Sequence, residues 1–323
     1  MKALVATEYG PPDRMSVAEL PVPDPGPGQI QMRIAACTIN PTDIRAIGGG
    51  FGQWVDLEFP YVPGNDFAGT VTAVGAGVTR FQVGDEVFGQ GLPRQMAFGA
   101  DPDRPSVGTG AVAEYAVYEA DTPLIALRPD SVTPEQAAAL AIGGWTAIGI
   151  MKKARIADGE RALVIGGLGG VGTALIPLLE KAGAHVTATA RTSEDEKKLR
   201  ELGAAETIGF DPAGYPGNVD AVINLVLDSH GLPAAASALR SGGRLVSIVF
   251  PPPELEDLGR GDVELDFLFD TAGALVSMQE VADAAAAGDL VATIRQVYPM
   301  DDAVTAAVVY SKGGVRGNIV VTP

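Results

Sequence analysis

Thiol and imidazole groups are almost missing from this chain: 323 residues hold one cysteine, Cys37, and two histidines, His185 and His230. A single thiol excludes an internal disulfide and any thiolate zinc cluster. Basic residues are scarce as well, 23 Lys and Arg against 40 Asp and Glu, a formal charge of −17. Nucleic acid and anionic membrane both require a basic footprint, so neither is expected as a partner. An anionic small molecule has to be held by local features rather than by the overall field. No apolar run reaches bilayer-spanning length, and the start, MKALVAT, lacks the charged and apolar regions of a signal peptide. The expected location is the cytoplasm.

What the chain does have is 46% hydrophobic and 20% charged residues, the balance of a soluble globular protein, and length enough for two cores. It is organised around Arg161 to Arg191, RALVIGGLGGVGTALIPLLEKAGAHVTATAR. Ala162 to Ile165 is an apolar run of the kind a buried parallel strand uses. Gly167-Leu168-Gly169-Gly170-Val171-Gly172 reads G-x-G-x-x-G directly after it, then a helical stretch to about Ala182 and a second apolar run, Val186 to Ala190. In such a βαβ unit the first glycine permits the turn, the second lets the backbone approach a pyrophosphate, and the third lets helix and strand pack closely. Amides at the helix start then face the phosphates. Pro177 falls inside that helix, where it is expected to kink it.

The end of the second strand separates the cofactors. A ribose-binding carboxylate about 20 residues after the glycines selects NAD. This chain has Ala190-Arg191-Thr192-Ser193 there, with no acid before Glu194. Arg191 with the hydroxyls of Thr192 and Ser193 suits a 2′-phosphate, so NADPH is expected over NADH.

The first 120 residues are rich in short strands and turns: Lys2 to Thr7, Gln29 to Ala35, Phe67 to Val74 and Ala111 to Tyr118, with a stiff connector at Pro21 to Gly28. That spacing predicts a barrel-like β domain. Two polar segments stand out in it, Cys37 to Asp43 and Phe59 to Gly69. Read alone, Asn40-Pro41-Thr42-Asp43 is most simply a turn with a helix cap. Gln90 to Gly110 is a long loop, either a lid or an insertion. Helical periodicity begins at Pro134. After the glycine unit, a helix from Ser193 and strands at Val219, Gly242 and Val263 continue the doubly wound α/β pattern. The tail adds a helix, a strand at Ala292 to Tyr298, a helix and a last strand at Asn318 to Val321.

In this order the pieces resemble the medium-chain dehydrogenase/reductase superfamily, in its zinc-free quinone oxidoreductase branch. MKALVATEYG, NPTD, YVPGNDFAGTV, RFQVGDEVFG, GAVAEYAV, WTA, VIGGLGGVGTA, GGRLVSI and VYPMDDAVTAAVVYSKGGVRGNIVV carry the resemblance, nearly end to end. It implies a GroES-like, partly open β-barrel catalytic domain over 1–124 and 268–323. A Rossmann-like NADP-binding domain over 125–267 completes it, with the site in the cleft between them. Zinc alcohol dehydrogenases of the superfamily carry Cys where this chain has Asn40 and His where it has Asn65, so no zinc is expected. The implied chemistry is NADPH-dependent hydride transfer to a quinone or an activated alkene next to a carbonyl. Positioning and oxyanion stabilisation would do the catalytic work. Asn40, Tyr61 and Asn65 are expected to line the pocket as donors, with Asp43 orienting Asn40 or capping its helix. Thr146 and Asn224 match positions near the cofactor. An enoyl or enone reductase of lipid-like or polyketide-like alkenes is the second reading, and a non-catalytic NADPH-binding sensor the third. The family further implies a homodimer.

Overall fold

The computed structural model of the chain describes residues 1–91, 110–270 and 273–323, so nearly all of the Gln90 to Gly110 loop lies outside the described residues. In chain order the elements are β1 (Lys2–Val5), β2 (Ser16–Glu19), β3 (Gln29–Thr38), α1 (Pro41–Ile47), β4 (Asp66–Val74), β5 (Glu86–Gln90), β6 (Tyr115–Glu119), β7 (Ile125–Leu127) and α2 (Pro134–Ala154). There follow β8 (Arg161–Ile165), α3 (Gly170–Lys181), β9 (His185–Thr189), α4 (Ser193–Glu201), β10 (Glu206–Ile208), β11 (Val219–Asn224), α5 (Leu232–Ser237), β12 (Leu239–Ser247) and β13 (Glu264–Phe267). The tail is α6 (Met278–Ala286), β14 (Ile294–Pro299), α7 (Ala303–Ser311) and β15 (Asn318–Thr322). Two compact units result: Met1–Trp145 with Asp270–Pro323, and Thr146–Phe269.

The first unit is mainly antiparallel β structure, a seven-stranded sheet of order β14-β15-β3-β4-β5-β7 with β6 also on β3, plus the β1–β2 ladder. Its hub is β3. Ile30, Met32, Ile34 and Ala36 alternate inward and are all buried, the period-two pattern of a half-buried strand. One long strand serves three partners. Gln29 to Arg33 pair with β6, Ile30 to Ala36 with β4, and Cys37 and Thr38 with β15. The strand thus runs three residues past the end predicted from sequence and delivers Cys37 and Thr38 into the sheet. In contrast, Ala111 to Glu114 are not part of β6: the N–H groups of Ala111 and Val112 donate instead to the carbonyls of Gly64 and Pro63.

The second unit is a six-stranded parallel sheet of order β10-β9-β8-β11-β12-β13. Ala162 to Ile165 of β8 and Ala221 to Ile223 of β11 are buried throughout, as parallel strands covered on both faces must be. The chain moves outward from β8 to β10, then returns to place β11 on the other side of β8. The carboxyl ends of β8 and β11 therefore flank the switch point where open α/β sheets bind ligands. At the other end, Asp220 ties the strands together: it accepts the Arg161 N–H at 2.9 Å and Arg240 Nε at 2.6 Å, while Arg244 meets Glu160 at 2.5 Å. Helix α3 runs through Pro177 as one element; nothing in the structure explains that proline. Among the described residues no helix is long and apolar enough to cross a membrane.

Candidate functional site

The glycine loop leaves β8 at Ile165 and enters α3 at Gly170. The turn itself is made by Gly166, at φ +93°, one residue before the first glycine of the motif. Its N–H donates to Thr189 Oγ1 at 3.0 Å, which pins the loop to the end of β9. A Cβ on Gly172 would lie 2.5 Å from the Gly167 carbonyl oxygen, main chain against main chain, so this is the close packing contact. Gly169 is different: a Cβ there would meet only the Gly166 oxygen, at 3.9 Å. It caps α3 from an extended conformation, with open space above it. Leu168, Gly169, Gly170 and Val171 are half-buried, and Gly167 and Gly172 are buried. Of Gly166, Gly167, Gly169 and Gly172, only Gly169 has open space where a side chain would sit.

Arg191 is exposed just past β9, with its guanidinium over the ring of Phe210. The nearby acid that could have served a ribose is otherwise engaged. Asp195 is buried and accepts the N–H groups of Arg191 and Thr192, both at 3.1 Å, while Thr192 Oγ1 accepts the Asp195 N–H at 3.2 Å. This capping box starts α4 with Ser193 as its first residue. Asn224, expected near the cofactor, is fully buried and builds the turn after β11. Its amide donates to the Leu227 carbonyl and Ser247 Oγ, and its oxygen accepts the Val226 and Leu227 N–H groups. It has no donor left for a ligand. The turn places the Val226 side chain beside Gly166, where a Cβ would sit. Thr146 lies buried in α2.

In the first unit the predicted polar residues do converge. Asn40 caps α1, and its own N–H donates to Asp43 Oδ2 at 2.8 Å. Asp43 Oδ1 accepts the Gly64 N–H at 2.9 Å, which draws the Tyr61–Asn65 segment onto the helix start. Asp66, the first residue of β4, was not singled out from the sequence, and it is the centre of the cluster. It accepts the Thr38 N–H at 2.6 Å, the Thr38 hydroxyl, and Asn40 Nδ2 at 2.7 Å. Asn40 Nδ2 also reaches Thr38 Oγ1 at 3.1 Å. The Asn40 side-chain amide is therefore held in this cluster by Asp66 and Thr38, two acceptors that lie side by side.

Asn40, at 8% exposure, is the least covered of these groups; Asp43, Tyr61, Asn65 and Asp66 are at 3% or less. Burial pushes the Asp43 carboxyl up to about 7, aided by the charge of Asp66, against the N–H bonds that favour its anion. Burial likewise raises Asp66 to about 7, opposed by its bonds from Thr38 and Asn40. Among the described residues the other groups in their field are a thiol and phenols. Burial first, then Asp66 and Asp43, hold Cys37 well up; burial and then Asp43 do the same for Tyr61. Tyr118, stacked on Phe67 at 4.2 Å, and Tyr310 of α7 are raised by burial and by these acids too. The hydroxyls of Tyr61 and Tyr118 are buried with no partner among the described residues.

Residues 26–129 match the alcohol dehydrogenase GroES-like domain, and residues 202–321 match the family described as zinc-binding dehydrogenase. The 2-methylene-furan-3-one reductase of Solanum lycopersicum is 34% identical over 259 residues, 78% of this chain and 64% of that protein, less than two thirds of its length. The quinone oxidoreductase of Mus musculus is 30% identical over 260 residues, 77% of this chain and 73% of the mouse protein. The chain belongs to the quinone oxidoreductase branch of the medium-chain dehydrogenase/reductase superfamily. The solved quinone oxidoreductase of Coxiella burnetii covers all of this chain and 99% of its own, at 25% identity and a TM-score of 0.87. The fold expected from sequence, a parallel Rossmann-like sheet with a GroES-like β unit, is the fold of this superfamily.

One family name speaks of zinc, and the donors here do not fit that ion. Asn40 and Asn65 offer amides rather than a thiolate or an imidazole, and the Asn40 amide is bonded to Asp66. Cys37 is fully buried with its Sγ on the Val321 carbonyl at 3.6 Å. His185 and His230 are exposed residues of the other unit. Among the described residues no three His, Cys, Asp or Glu side chains are grouped to hold a metal.

Proposed function

We propose that this chain is a zinc-independent, NADPH-dependent reductase that transfers hydride to a quinone or an α,β-unsaturated carbonyl. The observation that carries the reading is the Asn40–Asp66 pair at 2.7 Å. Where a superfamily alcohol dehydrogenase would present a thiolate to a Lewis acid, this protein presents an amide locked to a carboxylate. Acceptors that are already electrophilic at carbon need no metal to take a hydride.

NADPH, when bound, supplies a hydride from its nicotinamide. The second unit would hold it, with Gly169 and the start of α3 under the pyrophosphate and Arg191, Thr192 and Ser193 toward the 2′-phosphate. The acceptor oxygen gains negative charge as its conjugated carbon gains hydride, and a preorganised donor lowers that barrier. Tyr61 is the donor that fits: its hydroxyl has no partner among the described residues, and burial and Asp43 keep it protonated. Asn65 stays in this reading as a pocket residue, while Asp43 holds the start of α1. The tomato relative is named for reducing a methylene-furanone, which favours the enone arm of the reading. A cytoplasmic homodimer completes it.

The test is consumption of NADPH and NADH with a simple quinone and a simple enone, with and without chelator. Chelator-insensitive turnover with NADPH is expected. Loss of turnover with chelator would sink the zinc-independent reading. Cofactor binding without reduction of any acceptor would favour a sensor.

A further inference from the structure

Arg191 does not stand alone beyond β9. That strand runs parallel to β10 with Thr189 opposite Ile208, and the Ala190 N–H donates to the Ile208 carbonyl at 2.7 Å. The same register carried two residues past both strand ends sets Arg191 beside Phe210. The guanidinium carbon lies 5.0 Å from the centre of the Phe210 ring. The ring itself is anchored. It packs against the buried cluster that includes Leu163, Ile165 and Val222, and the Phe210 carbonyl accepts the Tyr215 hydroxyl at 3.4 Å.

The chemistry of this contact matters for what Arg191 can do. A carboxylate partner would orient the guanidinium by consuming its N–H groups and cancelling its charge. An aromatic face attracts the cation and aligns it flat while accepting none of its in-plane hydrogen bonds. The nearby acids are turned to other work: Asp195 accepts main-chain N–H groups, and Asp211 accepts the Ala213 N–H at 3.0 Å. In a chain of charge −17 this arrangement keeps one cation oriented with donors to spare. It also reduces the rotamer entropy that an exposed arginine loses on meeting a ligand.

We propose that Phe210 is a positioning residue for cofactor choice: its ring presents Arg191 to the 2′-phosphate of a phosphorylated adenosine cofactor. The inference rests on the reading of NADPH as the cofactor and adds the residue that makes the preference strong.

The experiment is calorimetric titration of the full chain with adenosine 2′,5′-bisphosphate and with AMP. Phe210→Leu keeps apolar packing and removes the π face. It is expected to raise the Kd of the bisphosphate about threefold to tenfold and leave AMP within about twofold. Phe210→Tyr keeps both affinities. Arg191→Ala removes the discrimination, and Phe210→Leu added to it costs nothing further, because the two residues act as one unit. A preference that survives Phe210→Leu, or an equal loss for both ligands, overturns the proposal while leaving NADPH as cofactor. A wild type that binds both ligands equally overturns the NADPH reading and this inference together.

Discussion

Asn40 meets the two buried acids of the first unit at once, its main-chain N–H on Asp43 and its side-chain amide on Asp66. The cap of α1 and the start of β4 are thereby joined through one residue, and neither acid has a cation partner among the interactions described for it. Removal of Asp66 leaves the Thr38 N–H and the Thr38 hydroxyl without their acceptor, and the Asn40 amide with Thr38 Oγ1 alone. Each orphaned buried donor costs about 1–3 kcal/mol. Asp66→Ala is therefore expected to lose at least about 2 kcal/mol of stability in urea denaturation. A loss below about 1 kcal/mol would mean that water replaces the carboxylate and that the network is not the organising feature.

The same acids give the protein an unusual pH response. Both carboxyls titrate near 7 in the fold, against about 4 in an unfolded chain. Between those values the folded chain binds more protons than the unfolded one. The contribution of this pair to stability therefore falls as pH rises from about 4 to about 7, then levels off. This is opposite in sign to a salt-bridged carboxylate. Comparison of wild type with Asp43→Asn from pH 4.5 to 8 should show the wild type losing more stability over that range. A difference between them that is constant with pH would refute the raised values.

Tyr61→Phe separates stability from catalysis. The hydroxyl it removes is buried without a partner among the described residues, so the variant should be as stable as the wild type, or more so by up to about 1 kcal/mol. If that hydroxyl is the donor to the acceptor oxygen, kcat should fall by tenfold or more, at about 1.4 kcal/mol per factor of ten. Full activity in Tyr61→Phe would hand the donor role to another group.

Two glycines of one loop should behave in opposite ways. Gly172→Ala drives a methyl into the Gly167 main chain and is expected to lower Tm sharply. Gly169→Ala meets nothing nearer than 3.9 Å and sits at φ −72°, so the fold should tolerate it. Its methyl occupies the space left for phosphate, and NADPH fluorescence titration should show weakened binding at unchanged Tm. Unaltered binding would move the pyrophosphate away from Gly169.

The parallel sheet was legible because its evidence is local: an apolar run, five glycines and a helix follow one another within a few residues. The polar segments around Asn40 and Asn65 were legible too. Asp66 was not. Its meaning depends on β3 running on to Thr38 and on contacts 26 and 28 residues back along the chain. The bond from the Asn40 amide to Asp66 was hidden for the same reason, since which partner an amide meets is decided by the fold. Phe210 and Arg191 are neighbours only through a parallel register between two strands, and the turn at Gly166 falls one place before the motif that drew attention to it.

The chain also dictates an order of manufacture. Both strands that complete the edge of the first unit beside β3, β15 (Asn318–Thr322) and then β14 (Ile294–Pro299), follow the second unit in the chain, whereas the six strands of the second unit lie between residues 161 and 267. As the polypeptide emerges from the ribosome, the middle segment has every strand it needs well before the first segment does. Asn40 and Asp66, made before the second unit, must wait for strands made after it. A chain cut short after residue 270 would keep its glycine loop and lack the strand against which Cys37 and Thr38 pair.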